Sequence, residues 1–229
     1  MSALPLASAE HARARRFMRL AAPVENTLEI QRSVFLTRLV PVTDEASARE
    51  IIDGARRVHH DARHHCSAFV LGADRDVQRS SDDGEPGGTA GVPMMQALLQ
   101  RETGPGRRDL TDVVAVVTRW FGGILLGAGG LVRAYSDSVS SALDVATTLE
   151  YTRRRRLEVS VPMALAGRAE FVLRATDHPV VETRYGERGL TVTLAVVDDD
   201  ATLDAAEAEV ARLLGGEADS VRGTAVWAA

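Results

Sequence analysis

Apolar and polar positions along the first half of the chain switch between two periods, near two residues and near three and a half. From Leu28 to Val42 the run LEIQRSVFLTRLVPV alternates well enough to predict one long strand. Asp44 then stands as the N-cap of a helix whose Ala48, Ile51, Ile52 and Ala55 recur at helical spacing, with an end near His59. Cys66 to Leu71 reads as a strand, Ala73 to Asp76 as a turn, and Val77 to Ser81 as the returning arm of a hairpin. Thr89 is placed to cap a helix that carries Val92, Met95, Leu98 and Leu99 through about Glu102. A polar loop from Gly104 to Arg108 and a buried strand from Asp112 to Val117 lead into RWFGGILLGAGGLVRAY, Arg119 to Tyr135. A helical pattern runs on from there to about Thr147.

The second half restarts the same grammar after TLEYTRRRRLE, which reads as a linker because Arg153 to Arg156 form an unbroken charge run. Leu157 to Met163 is predicted as strand and Ala166 to Ala175 as helix. Val180 to Tyr185 and Leu190 to Val197 form a hairpin about Gly186 and Gly189. Leu203 to Leu214 is predicted as helix, ended by Gly215 and Gly216, and Val221 to Trp227 as a last strand. That order, βαββαβ, is the order of a ferredoxin-like sandwich. Residues 1–27 carry Arg13, Arg15, Arg16 and Arg19 among alanines, with Pro23 as a stop, and read as a surface extension or short helix. The expected organisation is α+β: an extension over 1–27, one domain over 28–150 and a second over 151–229.

The length of 229 residues accommodates two cores, and 45% hydrophobic with 26% charged residues is the composition of a soluble globular protein. No apolar run approaches a membrane span and the N-terminus lacks the apolar segment of a secretion signal, so a cytoplasmic location with no membrane partner is expected. A lone cysteine, Cys66, cannot form an internal disulfide, which agrees with a reducing compartment. All 27 basic residues are arginine. Lysine chemistry is therefore absent: no Walker-type lysine, no Schiff base, no lysine base. Both halves are slightly acidic, so any nucleic-acid-binding face must be local rather than global.

Glycine-rich turns between a strand and a helix have two physical uses. Gly122, Gly123, Gly127, Gly129 and Gly130 can open the N–H groups of the following helix to an anion, phosphate first, with Arg119 and Arg133 flanking the spot. They can equally serve only to let a helix pack closely on a sheet. A second glycine loop, SDDGEPGGTAG from Ser81 to Gly91, places Asp82, Asp83 and Glu85 around Gly84. Three carboxylates at this spacing can hold a hydrated Mg²⁺, or they can cap the next helix and bind the neighbouring backbone. His59, His60, His64 and His65 cluster with Cys66, but loop histidines without a second cluster do not make a zinc site, and Cys66 reads as core. His64 is the candidate for a proton-transfer or phosphate-contact role, with Asp83 and Glu85 as further catalytic candidates. No cofactor is called for.

The motif Ser81-Asp82-Asp83-Gly84-Glu85-Pro86 with Gly88-Thr89-Ala90-Gly91, and Thr118-Arg119-Trp120-Phe121-Gly122-Gly123 with Leu126-Gly127-Ala128-Gly129-Gly130-Leu131-Val132-Arg133-Ala134-Tyr135, resembles the paired signatures of the Impact family in its bacterial YigZ-like branch. The resemblance covers about residues 28–148, and residues 151–229 resemble the small domain that follows in bacterial members. His65 stands where asparagine is commoner, and Trp120 where tyrosine is commoner. The resemblance implies a first domain with the fold of ribosomal protein S5 domain 2, followed by a ferredoxin-like domain. It also implies a link to translational control, since eukaryotic members contact a regulator of a translation-initiation kinase. Two functions are expected to compete at the glycine loops. One is RNA or ribosome binding, with Arg119 and Arg133 on phosphate and Trp120 or Tyr135 stacking on bases. The other is a small enzyme acting on a phosphorylated metabolite or nucleotide, with a metal on Asp82, Asp83 and Glu85 and with His64 as acid or base. In a third reading, compatible with either, the second domain contacts a protein partner.

Overall fold

The computed structural model describes residue 9 and residues 12–187 and 189–229. The chain divides into two compact units, Arg16–Glu150 and Tyr151–Ala229, the second joined by the described residues before Arg16. Both are mixtures of helix and antiparallel sheet, so the α+β class holds.

In the first unit a five-stranded sheet has the order β2-β3-β6-β4-β5, from β2 (Val24–Ile30), β3 (Ser33–Pro41), β4 (His64–Leu71), β5 (Val77–Ser81) and β6 (Val113–Trp120). Helices lie on both faces. α2 (Gly91–Gln100) and α3 (Gly127–Asp144) cover one, with Phe35, Leu39, Cys66, Val70, Val117, Met94, Leu98 and Tyr135 in the core between. α1 (Glu45–Val58) covers the other through Ala48 and Ile52 against Phe69, Val114 and Val116. Burial on both faces explains why β4 and β6 read as continuous apolar runs rather than as alternation. Asp44 caps α1 as expected, accepting from the Ser47 N–H at 2.8 Å.

The single long strand expected over 28–42 is instead a hairpin. Gln31 and Arg32, with φ of 47° and 65°, turn the chain between β2 and β3 in a left-handed two-residue loop. The N-terminal segment also differs from the expected extension. β1 (Arg16–Leu20) buries Phe17, Met18 and Leu20, and Met18 bridges Leu110. The part of the expected extension over residues 1–8, 10 and 11 lies outside the described residues.

The second unit follows the order βαββαβ: β7 (Thr148–Val161), α4 (Ala166–Arg174), β8 (Val180–Gly186), β9 (Gly189–Val197), α5 (Asp200–Leu213) and β10 (Asp219–Ala228). Its strands align as β10-β7-β9-β8, every neighbour antiparallel. Leu157, Val159, Leu173, Leu194, Leu203 and Val210 are in its core. The expected linker is a strand. Arg153 to Arg156 lie in β7, paired with β10 on one side, and from Arg154 onward with β9 on the other. Asp198 accepts ion pairs from Arg153 and Arg155, which is how a charge run is accommodated in an interior strand.

Candidate functional site

The two glycine loops meet at one end of the first sheet. β4 and β6 pair with His64 opposite Arg119, so the residues just before β4 and just after β6 emerge side by side. The hairpin turn at Arg32 joins them, because Gly122 packs on its backbone: a Cβ at Gly122 would stand 2.0 Å from the Arg32 carbonyl. For Gly122 the packing explanation therefore holds. Gly123 and Gly127 take φ of 86° and 69°, the left-handed region that swings the loop into α3.

The acidic loop is internally consumed. The Asp82 carboxylate accepts from the N–H groups of Gly88 at 2.7 Å, Ala90 at 3.0 Å and Gly91 at 2.8 Å, so it, and not Thr89, caps α2. Burial pushes the Asp82 carboxyl up, but these three donors outweigh it and hold the group below the usual carboxylate range. Thr89 turns its hydroxyl to the Pro86 carbonyl. Asp83 accepts from Arg56 at 2.8 Å and from the His65 N–H at 2.6 Å. Buried Glu85 accepts from Arg119 at 2.6 Å and from the Tyr135 hydroxyl at 2.7 Å. Each of the three candidate metal ligands thus points to its own protein partners, and no cluster of three or more metal-ligating side chains exists among the described residues.

That arrangement also corrects two expectations about the anion site. Arg119 is only 6% exposed, stacked by Phe35 and Phe121 at 5.3 and 5.7 Å, and its charge is answered by Glu85. Arg133 lies on the outward side of α3, away from the buried Leu131, Ala134 and Tyr135. Tyr135 is fully buried, edge-on to Phe35 at 5.3 Å, and so is closed to base stacking. Desolvation raises its hydroxyl pKa and pushes the adjacent Cys66 thiol up to about 12, so neither group ionises at neutral pH. Trp120 donates its indole N–H to Asp61 at 2.8 Å and meets His59 edge-on.

What remains open is a cavity of about 340 Å³ beneath the Phe121–Gly130 loop, lined by Arg63, His64, Glu85, Pro86, Arg119, Phe121, Leu125, Leu126, Gly127, Ala128 and Leu131. One part of its lining is polar. Arg63 is exposed and forms no ion pair among the described residues, and the first turn of α3 begins here with no side-chain cap. Its leading N–H groups have no intrahelical acceptor. Arg119 adds a buried Nε without a partner. The other part is apolar: Phe121 is 45% and Leu125 86% exposed, unusual for large side chains in a turn. Gly129 has nothing within 4 Å of a would-be Cβ, and Gly130 meets only Leu126. Neither opens the helix; both belong to its first turn.

Sequence reasoning found His64 and the glycines but missed Arg63 and Phe121. The strand register gives the signal for both, since the residue before β4 and the residue after β6 must emerge at the same sheet end.

The Impact N-terminal domain matches residues 31–143. The chain is 46% identical over 167 residues to the IMPACT family member YigZ of Escherichia coli, covering 72% of this chain and 78% of that protein. It is 41% identical over 163 residues to the IMPACT family member YvyE of Bacillus subtilis, covering 71% and 72%. A crystal structure described only as that of a hypothetical protein is 32% identical and superposes with a TM-score of 0.60, over 90% of this chain and 97% of that one.

Proposed function

The chain belongs to the Impact family, and on that premise we propose that it is a cytoplasmic protein that binds single-stranded RNA, free or within the ribosome, at the cavity beneath the Phe121–Gly130 loop. The observation that carries this reading is the pairing, in one cavity, of an uncapped helix start and an Arg63 with no ion pair among the described residues with the exposed faces of Phe121 and Leu125. Phosphate and base need those two surfaces together. Phe121 takes the stacking role first expected of Trp120 or Tyr135. The acidic net charge of the protein is compatible with this, because in the acidic loop Asp83 and Glu85 are paired with Arg56 and Arg119 and Asp82 is turned to the backbone N–H groups of Gly88, Ala90 and Gly91.

A role in regulation of translation, with a protein partner engaged by the second unit, extends the same proposal. The helix-on-both-faces architecture of residues 16–150 supports the S5 domain 2-like assignment. The strand order β10-β7-β9-β8 with βαββαβ connectivity supports the ferredoxin-like one. The competing enzyme loses its metal ligands to Arg56, Arg119, Tyr135 and backbone N–H groups.

Arg63→Ala tests the reading. Among the described residues Arg63 has no ion pair to lose, so the melting temperature should hold while affinity for a labelled uridine dodecamer falls and the magnitude of its salt slope drops by about one. Unchanged affinity and slope would remove Arg63, and the cavity with it, from RNA binding.

A further inference from the structure

Among the cavity's lining side chains Arg63 and Arg119 donate, the Glu85 carboxylate accepts from Arg119 and Tyr135, and His64 brings a ring whose acceptor nitrogen is set by its own hydrogen bond. The His64 Nδ1 lies 2.8 Å from the Asp83 carbonyl. A carbonyl only accepts, so Nδ1 carries the proton, and in the neutral ring Nε2 is left with a lone pair. Flipping the ring would give up this hydrogen bond, which holds the orientation. Nε2 has no partner among the described residues, and His64 lines the cavity. A phosphate presents acceptors alone and satisfies Arg63 and the α3 N–H groups without satisfying His64.

We infer that His64 selects ribonucleotides over deoxyribonucleotides by accepting a hydrogen bond from a ribose 2′-hydroxyl. The inference rests on the RNA reading above and names the feature of RNA that the site recognises. The position follows from covalent order. With a phosphate held by Arg63 and the start of α3, and a base against Phe121 and Leu125, the sugar between them is the group that reaches the histidine. A 2′-hydroxyl donates where a 2′-hydrogen cannot, and it is what distinguishes RNA from DNA at a single contact.

The test measures binding of three dodecamers to the full chain: uridine, deoxyuridine and 2′-O-methyluridine. The methyl ether keeps a ribose-like sugar and the 2′ oxygen but has no proton to donate. The unmodified protein should bind the uridine strand about tenfold more tightly than either of the others, the worth of one net hydrogen bond. In His64→Ala all three should bind alike, at the level of the deoxyuridine strand. Equal and saturable binding of the three strands by the unmodified protein would overturn the selectivity while leaving RNA binding in place. A preference for uridine that survives in His64→Ala would also overturn it. Failure of all three strands to bind would remove the RNA reading and this inference together. The comparison on the unmodified protein needs no substitution, so it decides the matter even if His64→Ala folds poorly.

Discussion

The loops at Ser81–Gly91 and Phe121–Gly130 look alike in sequence, each rich in glycine and each leading into a helix, yet they meet opposite fates. In the first, every carboxylate is spent on a backbone or side-chain donor, and the helix that follows is capped from eight and nine residues upstream by Asp82. In the second, the helix start is uncapped and large apolar side chains face outward. A strand-loop-helix with glycines therefore does not announce a binding site. What decides is whether the loop's own side chains already satisfy the N–H groups that the helix exposes. The closed loop also serves the open one, since Glu85 and the turn carbonyl at Asp83 hold Arg119 and His64 at the cavity.

The sharpest way to break this contrast is Glu85→Gln. It leaves a guanidinium at 6% exposure without its counter-charge, and orphaning one member of a buried pair costs about 3–5 kcal/mol. Urea unfolding should show that loss. A change within about 0.5 kcal/mol would mean that the pair does not brace the two loops.

Asp82→Ala should cost less, about 2 kcal/mol at neutral pH, through loss of the α2 cap. The pH dependence gives an independent check. The folded Asp82 titrates below its unfolded value, so its contribution is complete above the ordinary carboxylate range and is lost as pH falls through the folded pKa. Asp82→Asn should accordingly flatten the stability curve below about pH 5, measured as the urea midpoint against pH. An acid limb as steep as that of the unmodified protein would assign the acid sensitivity to other carboxylates.

Gly129→Ala should move stability the other way. Its Cβ meets nothing within 4 Å and its φ is not left-handed, so the alanine limits only the unfolded chain and should stabilise by about 0.5–1 kcal/mol. A destabilised variant would show that the open loop carries packing which the structure does not place there.

The fold was legible wherever local chemistry announces itself. The Asp44 cap, the β4–β5 hairpin and the alternation of strands and helices after residue 157 all follow from period and turn residues. The misses share a cause, which is tertiary pairing overriding local signals. Gln31 and Arg32 adopt a left-handed turn that glycine or asparagine normally marks, so the hairpin at β2–β3 read as one strand. Arg153 to Arg156 read as a linker because the carboxylate that answers Arg153 and Arg155 lies more than forty residues later, at Asp198. At the site, residue types were legible and directions were not. Arg119 and Arg133 flank the glycines in sequence, but strand period turns one into the core and helical period turns the other outward.

That divergence makes Arg133 the smallest and most discriminating test. It stands on the exposed side of α3 with no ion pair among the described residues, so Arg133→Ala should leave the melting temperature unchanged in a helix that tolerates alanine well. If RNA seats only in the cavity, Arg133 is outside it, and affinity for the uridine dodecamer should fall by less than about twofold, well below the loss in Arg63→Ala. A strand that continues over the loop past Gly129 would meet Arg133 with a later phosphate, and then the salt slope would fall by about one in this variant too. The two outcomes separate when the oligonucleotide is shortened. A contact beyond the cavity disappears at two or three nucleotides while the Arg63 effect persists. Equal effects of Arg63→Ala and Arg133→Ala on the shortest strands would place the binding surface on the helix face, and the contrast drawn between closed and open loops would lose its cavity.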